Sequence, residues 1–202
     1  MDWAPALKHL HDADPLLRPL IDRHGTPSLA PTTNAVQSLA RAIVGQQLST
    51  KAAATIWGRF LDLYPKRRMP SGQTILDTPD TKLRAAGLSG AKAAAIKDLA
   101  RHVVDKKLVP SKLPLLTDEE VAATLLPVRG IGPWSVDMFL MFALARPDVL
   151  PVGDLGIRKG MQLHFKLRAL PEAPRMQKLA APWRPFRTVA SWYMWRLLEP
   201  PA

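Results

Sequence analysis

No cysteine occurs among the 202 residues, which removes disulfide frameworks, cysteine zinc sites, thiol nucleophiles and cysteine-bound iron–sulfur clusters together. A reducing interior is the simplest setting, and the expected location is cytoplasmic, nucleoid-associated if the source is bacterial. Apolar runs near the roughly 20 residues that span a bilayer are also missing, and the opening MDWAPALKHLHDADP has no long apolar stretch behind a basic leader. No segment alternates apolar and polar residues in the manner of a strand. Acidic side chains are scarce: 17 Asp and Glu stand against 28 Lys and Arg, a net charge of +11. That excess points to a polyanionic partner. Clusters such as Lys66-Arg67-Arg68, Arg158-Lys159 and Arg184 with Arg187 favour nucleic acid. A membrane surface fits less well, because no helix joins a strong apolar face to a dense basic one.

What remains is a chain of 47% hydrophobic residues, long enough to bury a core unaided, whose periodicity is helical throughout. Residues 3–24 predict one or two helices broken at Asp14-Pro15. Asn34 or its neighbour Thr33 opens AVQSLARAIVGQQ, with Val36, Leu39, Ala40, Ile43 and Val44 on one face. Ser49 or Thr50 opens KAAATIWGRFLDLY, which Pro65 stops, so Gln46-Gln47-Leu48 lies at a sharp corner between helices. After a basic, proline-containing loop, a short helix from about 78 to 86 and the turn Gly87-Leu88-Ser89-Gly90 lead into AKAAAIKDLARHVVDKK. Thr117 and Glu120 have capping-box spacing, and Pro133 suits the first turn of WSVDMFLMFALA. An extended link over 147–152, Asp154 as N-cap of LGIRKGMQLHF, a Pro-rich connection from Pro171 and an aromatic C-terminal helix complete an all-α chain.

Within residues 117–159 two helical segments flank the turn Gly130-Ile131-Gly132, and the carboxylate of Asp154 follows. Glycines at such a turn let backbone N–H groups approach a phosphate without interference from Cβ, and the following helix adds its positive end. A grip of this kind reads no sequence. Taken alone it is equally a tight structural turn.

The full string LLPVRGIGPWSVDMF resembles the helix-hairpin-helix DNA glycosylases, and within them the 3-methyladenine DNA glycosylase II (AlkA) type. The likeness runs from about Asp14 to Leu197. It includes VGQQLSTKAA at 44–53, AGLSGAKAAAIKDLA at 86–100, RPDVLPVGDLGIRKG at 146–160 and WRPFRTVASWYMW at 183–195. The resemblance implies a two-lobed fold, with 36–146 as one helical lobe ending in the hairpin and 1–35 plus 147–202 as the other, and an active site in the cleft between them. It also implies that the prototype's N-terminal β-rich domain is missing.

By the same resemblance Asp154 is the catalytic carboxylate. An aspartate before an apolar helix is also an ordinary N-cap, and the two roles are compatible because the helix dipole favours the charged form. Asp137 and Asp148 are the alternatives, one inside the post-hairpin helix and the other earlier in the link. Relatives that also cut the strand carry a lysine nucleophile two residues after the second hairpin glycine. Trp134 stands there, so a monofunctional enzyme is expected.

Trp134, Met138 and Trp195 are implied as the base pocket, with the helical tryptophans equally capable of being core. Cationic N3- and N7-alkylated purines suit aromatic walls, since a cation over such a face gains about 0.5–2 kcal/mol. Gln47 is implied as the side chain that fills the gap left by a flipped base, with Gln46 as its neighbouring substitute. Gly130, Gly132, Arg129 and Ser135 would meet the DNA backbone, and the backbone carbonyls of Leu126, Val128 and Ile131 would hold a monovalent cation, Na or K. No cofactor is expected for catalysis. The expected partner is double-stranded DNA with alkylated bases, bound by a monomer. Glycosylases for uracil, mismatched adenine or oxidised purine, and a non-catalytic helix-hairpin-helix DNA-binding module, are the competing readings.

Overall fold

The computed structural model describes residues 2–199, and every regular element among them is helical. Two compact units emerge among them, one of residues 32–139 and one of residues 2–31 with 140–199.

In the 32–139 unit the helices start where the capping residues stand. Asn34 accepts the Gln37 N–H (2.9 Å) to open α3, Ala35–Gly45. Ser49 opens α4, Thr50–Asp62, and Ser89 opens α7, Gly90–Val104. Thr117 and Glu120 close a full capping box on α8, Asp118–Leu125. Each cap is worth about 1 kcal/mol. The stripe Leu39, Ala40, Ile43 and Val44 is buried, and α3 packs on both α4 and α7. Trp57 and Phe60 of α4 and Tyr64 just beyond its end place their rings one after another at 5.4 Å spacings. The region expected to be a basic loop contains a helix, α5, Gly72–Asp77, capped by Ser71 and anchored by buried Ile75. Six residues are too few to show a period. With α6, Asp80–Ala85, it packs on α7. The helix α9, Pro133–Phe142, follows the hairpin, and its last three residues fall in the other unit.

The second unit opens with α1, Ala4–Ala13, and α2, Arg18–His24, broken at Asp14-Pro15 as expected. It continues with α10, Leu155–His164, then α11, Ala173–Leu179, and α12, Arg187–Arg196. The connection expected to be only Pro-rich thus contains α11. Its Pro174 sits in the first turn, where no N–H is needed, and Met176 is fully buried. Leu10, Leu17, Met161, Trp183 and Tyr193 share one core. Its polar ends are satisfied, with Trp3 Nε1 donating to the Leu29 carbonyl (2.9 Å) and the Tyr193 hydroxyl to that of Gly25 (2.8 Å).

Asp14 is the charge buried in this core. Its Oδ2 accepts from His164 Nε2 (2.7 Å) and Trp183 Nε1 (2.8 Å). Burial opposes the charge, but the hydrogen bonds from His164 and Trp183 prevail and hold the carboxyl below its usual range. Removing one partner of such a set typically costs about 3–5 kcal/mol, so Asp14→Ala should lose that much in urea unfolding. A depressed folded-state pKa contributes stability above the unfolded value of about 3.9 and loses it as pH falls through the folded one. The advantage of the wild type over Asp14→Asn should therefore shrink below about pH 4. A difference that stays constant from pH 7 to pH 3 would show that ionised Asp14 is not the stabilising species.

Candidate functional site

The 32–139 unit presents the hairpin and the corner. After α8 the chain makes two tight turns, closed by hydrogen bonds from Val128 N–H to the Leu125 carbonyl (3.0 Å) and from Ile131 N–H to the Val128 carbonyl (3.0 Å). Gly130 takes φ +80°, a conformation that disfavours a side chain, and a Cβ there would also press on Ala95 at 3.2 Å. Gly132 is different: a Cβ on it would meet nothing within 4 Å, so no packing in the described residues demands glycine. No acceptor among the described residues takes the N–H of Gly130 or of Gly132. The neighbouring Arg129 N–H is bound to Asp98 Oδ2 (2.9 Å), which steadies the turn while the Arg129 side chain stays exposed. Ser135 is buried, its hydroxyl facing Gln46 Nε2 at 3.4 Å. Leu126 is exposed, whereas Val128 and Ile131 are buried.

The corner between α3 and α4 comes to the hairpin through Gln46, whose Nε2 donates to the Gly130 carbonyl (2.7 Å). Gln47 is exposed and carries φ +58°, unusual for a residue with a side chain. Lys92 reaches across from α7, its Nζ donating to the carbonyls of Val44 (2.7 Å) and Gln46 (2.8 Å). A groove of about 560 Å³ is lined by Gln46, Gln47, Trp134, Ser135 and Met138, among others. That volume is within the roughly 300–1,000 Å³ of small-molecule sites. Trp134 is 45% exposed, so it is not a core tryptophan within this unit.

The second unit holds Asp154. It is the N-cap of α10, and its Oδ1 accepts both the Ile157 N–H (2.8 Å) and the Trp195 Nε1–H (3.0 Å). Two donors on one oxygen fix the plane of the carboxylate. Trp195 is held in turn by stacking on Phe142, with ring centroids 5.7 Å apart and planes 27° from parallel. The indole reaches the carboxylate because Gly156 lies beneath it: a Cβ there would sit 2.8 Å from Trp195 Cδ1 and Nε1. One turn on, a Cβ at Gly160 would come within 2.4 Å of the Met194 carbonyl oxygen, so α10 and α12 touch backbone to backbone.

The two alternative aspartates have other surroundings. Asp148 accepts from Arg184 Nη1 (2.9 Å) and from Arg187 Nε (2.6 Å) and Nη2 (3.0 Å), an ion-paired clamp between the link and α12. Burial pushes Asp137, inside α9, up to about 6. Asp148 Oδ1 also accepts the Arg187 N–H (3.3 Å) at the start of α12, whereas Asp137 lies within its own helix.

Trp195 as a donor to Asp154, the stack on Phe142 and the closeness of α10 to α12 were missed in the sequence. A local signal for the last existed: Gly156 and Gly160 are four residues apart, so they share one face of a helix. Lys92 and Gln46 had no such signal, since Lys92 meets Gln46 across 46 residues and Gln46 meets Gly130 across 84.

The sequence profile of the HhH-GPD superfamily of base excision DNA repair proteins matches residues 40–185. The chain belongs to that superfamily. Among solved HhH-GPD-like structures, the 3-methyladenine DNA glycosylase Mag1 of Schizosaccharomyces pombe, in complex with abasic DNA, superposes with a TM-score of 0.86 at 31% identity, covering 96% of either chain. A DNA-3-methyladenine glycosidase from Bacillus halodurans superposes with a TM-score of 0.84 at 32% identity, over 96% of this chain and 88% of its own. DNA-3-methyladenine glycosylase 1 of Schizosaccharomyces pombe is 36% identical over 79% of this chain and 71% of its own length. The all-helical architecture is that of the superfamily. No helix among the described residues is long and apolar enough to cross a membrane.

Proposed function

We propose that this HhH-GPD protein is a monofunctional DNA glycosylase that removes alkylated purines, cationic at N3 or N7, from double-stranded DNA and so begins base excision repair. The relatives named for 3-methyladenine and the Mag1 complex with abasic DNA support the substrate class. The observation that carries the reading is Asp154, a carboxylate oriented by a helix N-terminus and an indole N–H.

Its chemistry follows from charge. As the bond between C1′ and the base nitrogen breaks, the bonding electrons leave with the base, and positive charge builds on the sugar. The carboxylate of Asp154 stabilises that charge and accepts a proton from the water that adds to C1′. An alkylated purine leaves as a neutral molecule, so no strong acid is needed to protonate it. Trp134, Met138 and Trp195 supply surfaces on which such a cation stacks. Gln47 fills the position the base vacates, an exchange that offsets the few kcal/mol of unstacking. The hairpin supplies the grip, through the uncommitted N–H groups of Gly130 and Gly132, the first turn of α9 at Ser135, and the Arg129 side chain.

The carbonyls of Leu126, Val128 and Ile131 are candidates to hold a monovalent cation at the hairpin. They offer neutral oxygens with no cluster of His, Asp or Glu among the described residues, a donor set that suits Na or K better than a divalent ion. A cation there would brace the turn and take no part in bond cleavage.

Incubated with methylated duplex DNA, the protein should release 3-methyladenine and 7-methylguanine and leave the strand whole until alkali is added. Borohydride should trap no covalent adduct, because no amine stands at position 134. A trapped adduct would overturn the monofunctional assignment, and release of uracil or an oxidised purine in place of alkylated bases would overturn the substrate class.

A further inference from the structure

Gln47 sits in a turn that a side chain does not favour. Gln46 has φ −52° and ψ 133°, Gln47 follows at φ +58°, and the Leu48 N–H donates to the Gly45 carbonyl (3.2 Å). This is a type II turn with glutamine where glycine or asparagine is usual. In such a turn the central peptide is flipped, and its carbonyl is that of Gln46. Lys92 Nζ holds that carbonyl at 2.8 Å and the carbonyl of Val44, in the last turn of α3, at 2.7 Å. The Gln46 side chain runs to the hairpin and donates to the Gly130 carbonyl at 2.7 Å. The turn is thus fastened on one side to α7 and on the other to the first hairpin glycine, while the Gln47 side chain remains exposed.

We infer that Gln46 and Lys92 are positioning residues: they hold the left-handed turn that projects Gln47 and lock it to the hairpin, so that backbone grip and gap filling share one rigid frame. The inference rests on the glycosylase reading for the task that Gln47 performs. Gln46 is therefore not interchangeable with Gln47. Its amide is spent inside the protein, and its length and its N–H₂ group are both used. Methionine keeps the length and loses the donor. At Lys92 methionine removes the ammonium that ties the flipped peptide's carbonyl to the end of α3; burial lowers the pKa of that lysine, which is less hydrated than a surface one.

The test is a double-mutant cycle read on specificity. Affinity for a duplex containing a tetrahydrofuran abasic site is divided by affinity for the intact duplex, for wild type, Gln46→Met, Gln47→Ala and the double variant. Each single substitution should lower the ratio about tenfold, and the double variant should also stand about tenfold below wild type, because Gln46 acts through Gln47. A hundredfold loss in the double variant would mean independent roles and overturn the inference, as would an unchanged ratio for Gln46→Met or no abasic preference in the wild type. Lys92→Met combined with Gln47→Ala gives a second cycle with the same expectation, and thermal melting of each variant confirms folding. Base release is scored separately. A wild type with the coupled preference but no base release would sink the glycosylase reading and keep the positioning roles, whereas base release with additive losses would do the reverse.

Discussion

Asp154→Asn is expected to lower base release from methylated duplex by roughly two to four orders of magnitude, the usual range for a positioned acid–base group, while the protein stays folded. Asparagine keeps an oxygen at the cap, so the hydrogen bonds from Ile157 N–H and Trp195 Nε1 can both persist. Aspartate and asparagine are near equals as N-caps. What is lost is the negative charge that stabilises the positive charge building on the sugar and the site that accepts a proton from water. Single-turnover kinetics should show the loss in the chemical step, with affinity for abasic duplex kept or raised, since a neutral side chain no longer repels phosphates. A release rate within tenfold of wild type, in a protein that melts normally, would reduce Asp154 to a helix cap.

Gly160→Ala should destabilise the protein at the crossing of α10 and α12. The added methyl would lie 2.4 Å from the Met194 carbonyl oxygen and 2.7 Å from Met194 Cβ, and a backbone atom cannot swing aside as a side-chain tip can. α10 and α12 must move apart. Overpacking of this kind costs about 1–3 kcal/mol, occasionally more. At roughly 2–4 °C per kcal/mol for a chain of this size, the melting temperature should fall by about 2–12 °C. Trp195 follows Met194 directly, so the same displacement should withdraw its indole from Asp154 and lower base release at temperatures where the variant is still folded. A melting temperature within a degree of wild type would mean that the crossing has slack. Gly156→Ala moves the crowding from backbone to side chains, because the atoms its methyl would meet belong to the Trp195 indole at 2.8 Å and to Asp154 Oδ1 at 3.0 Å, and side chains can rotate. It should cost less stability and still break the Trp195–Asp154 hydrogen bond.

Much of the secondary structure was legible because it is written in local chemistry. Asn34, Ser49, Ser89, Thr117 with Glu120, and Asp154 each cap the helix that follows them. The helices α5 and α11 were not legible, being six and seven residues long and embedded in proline-containing stretches.

By itself, the sequence determined an all-helical chain, a basic surface suited to a polyanion, the hairpin, and a carboxylate standing as a helix cap, since propensity, capping and charge act between near neighbours. Tertiary structure alone decided that Trp195 orients Asp154, that Gly156 and Gly160 exist to let α12 approach α10, and that Gln46 and Lys92 fasten the Gln47 turn. Those contacts join residues as much as 84 positions apart. They depend on the distance between helices, and packing fixes that distance where local pattern is silent.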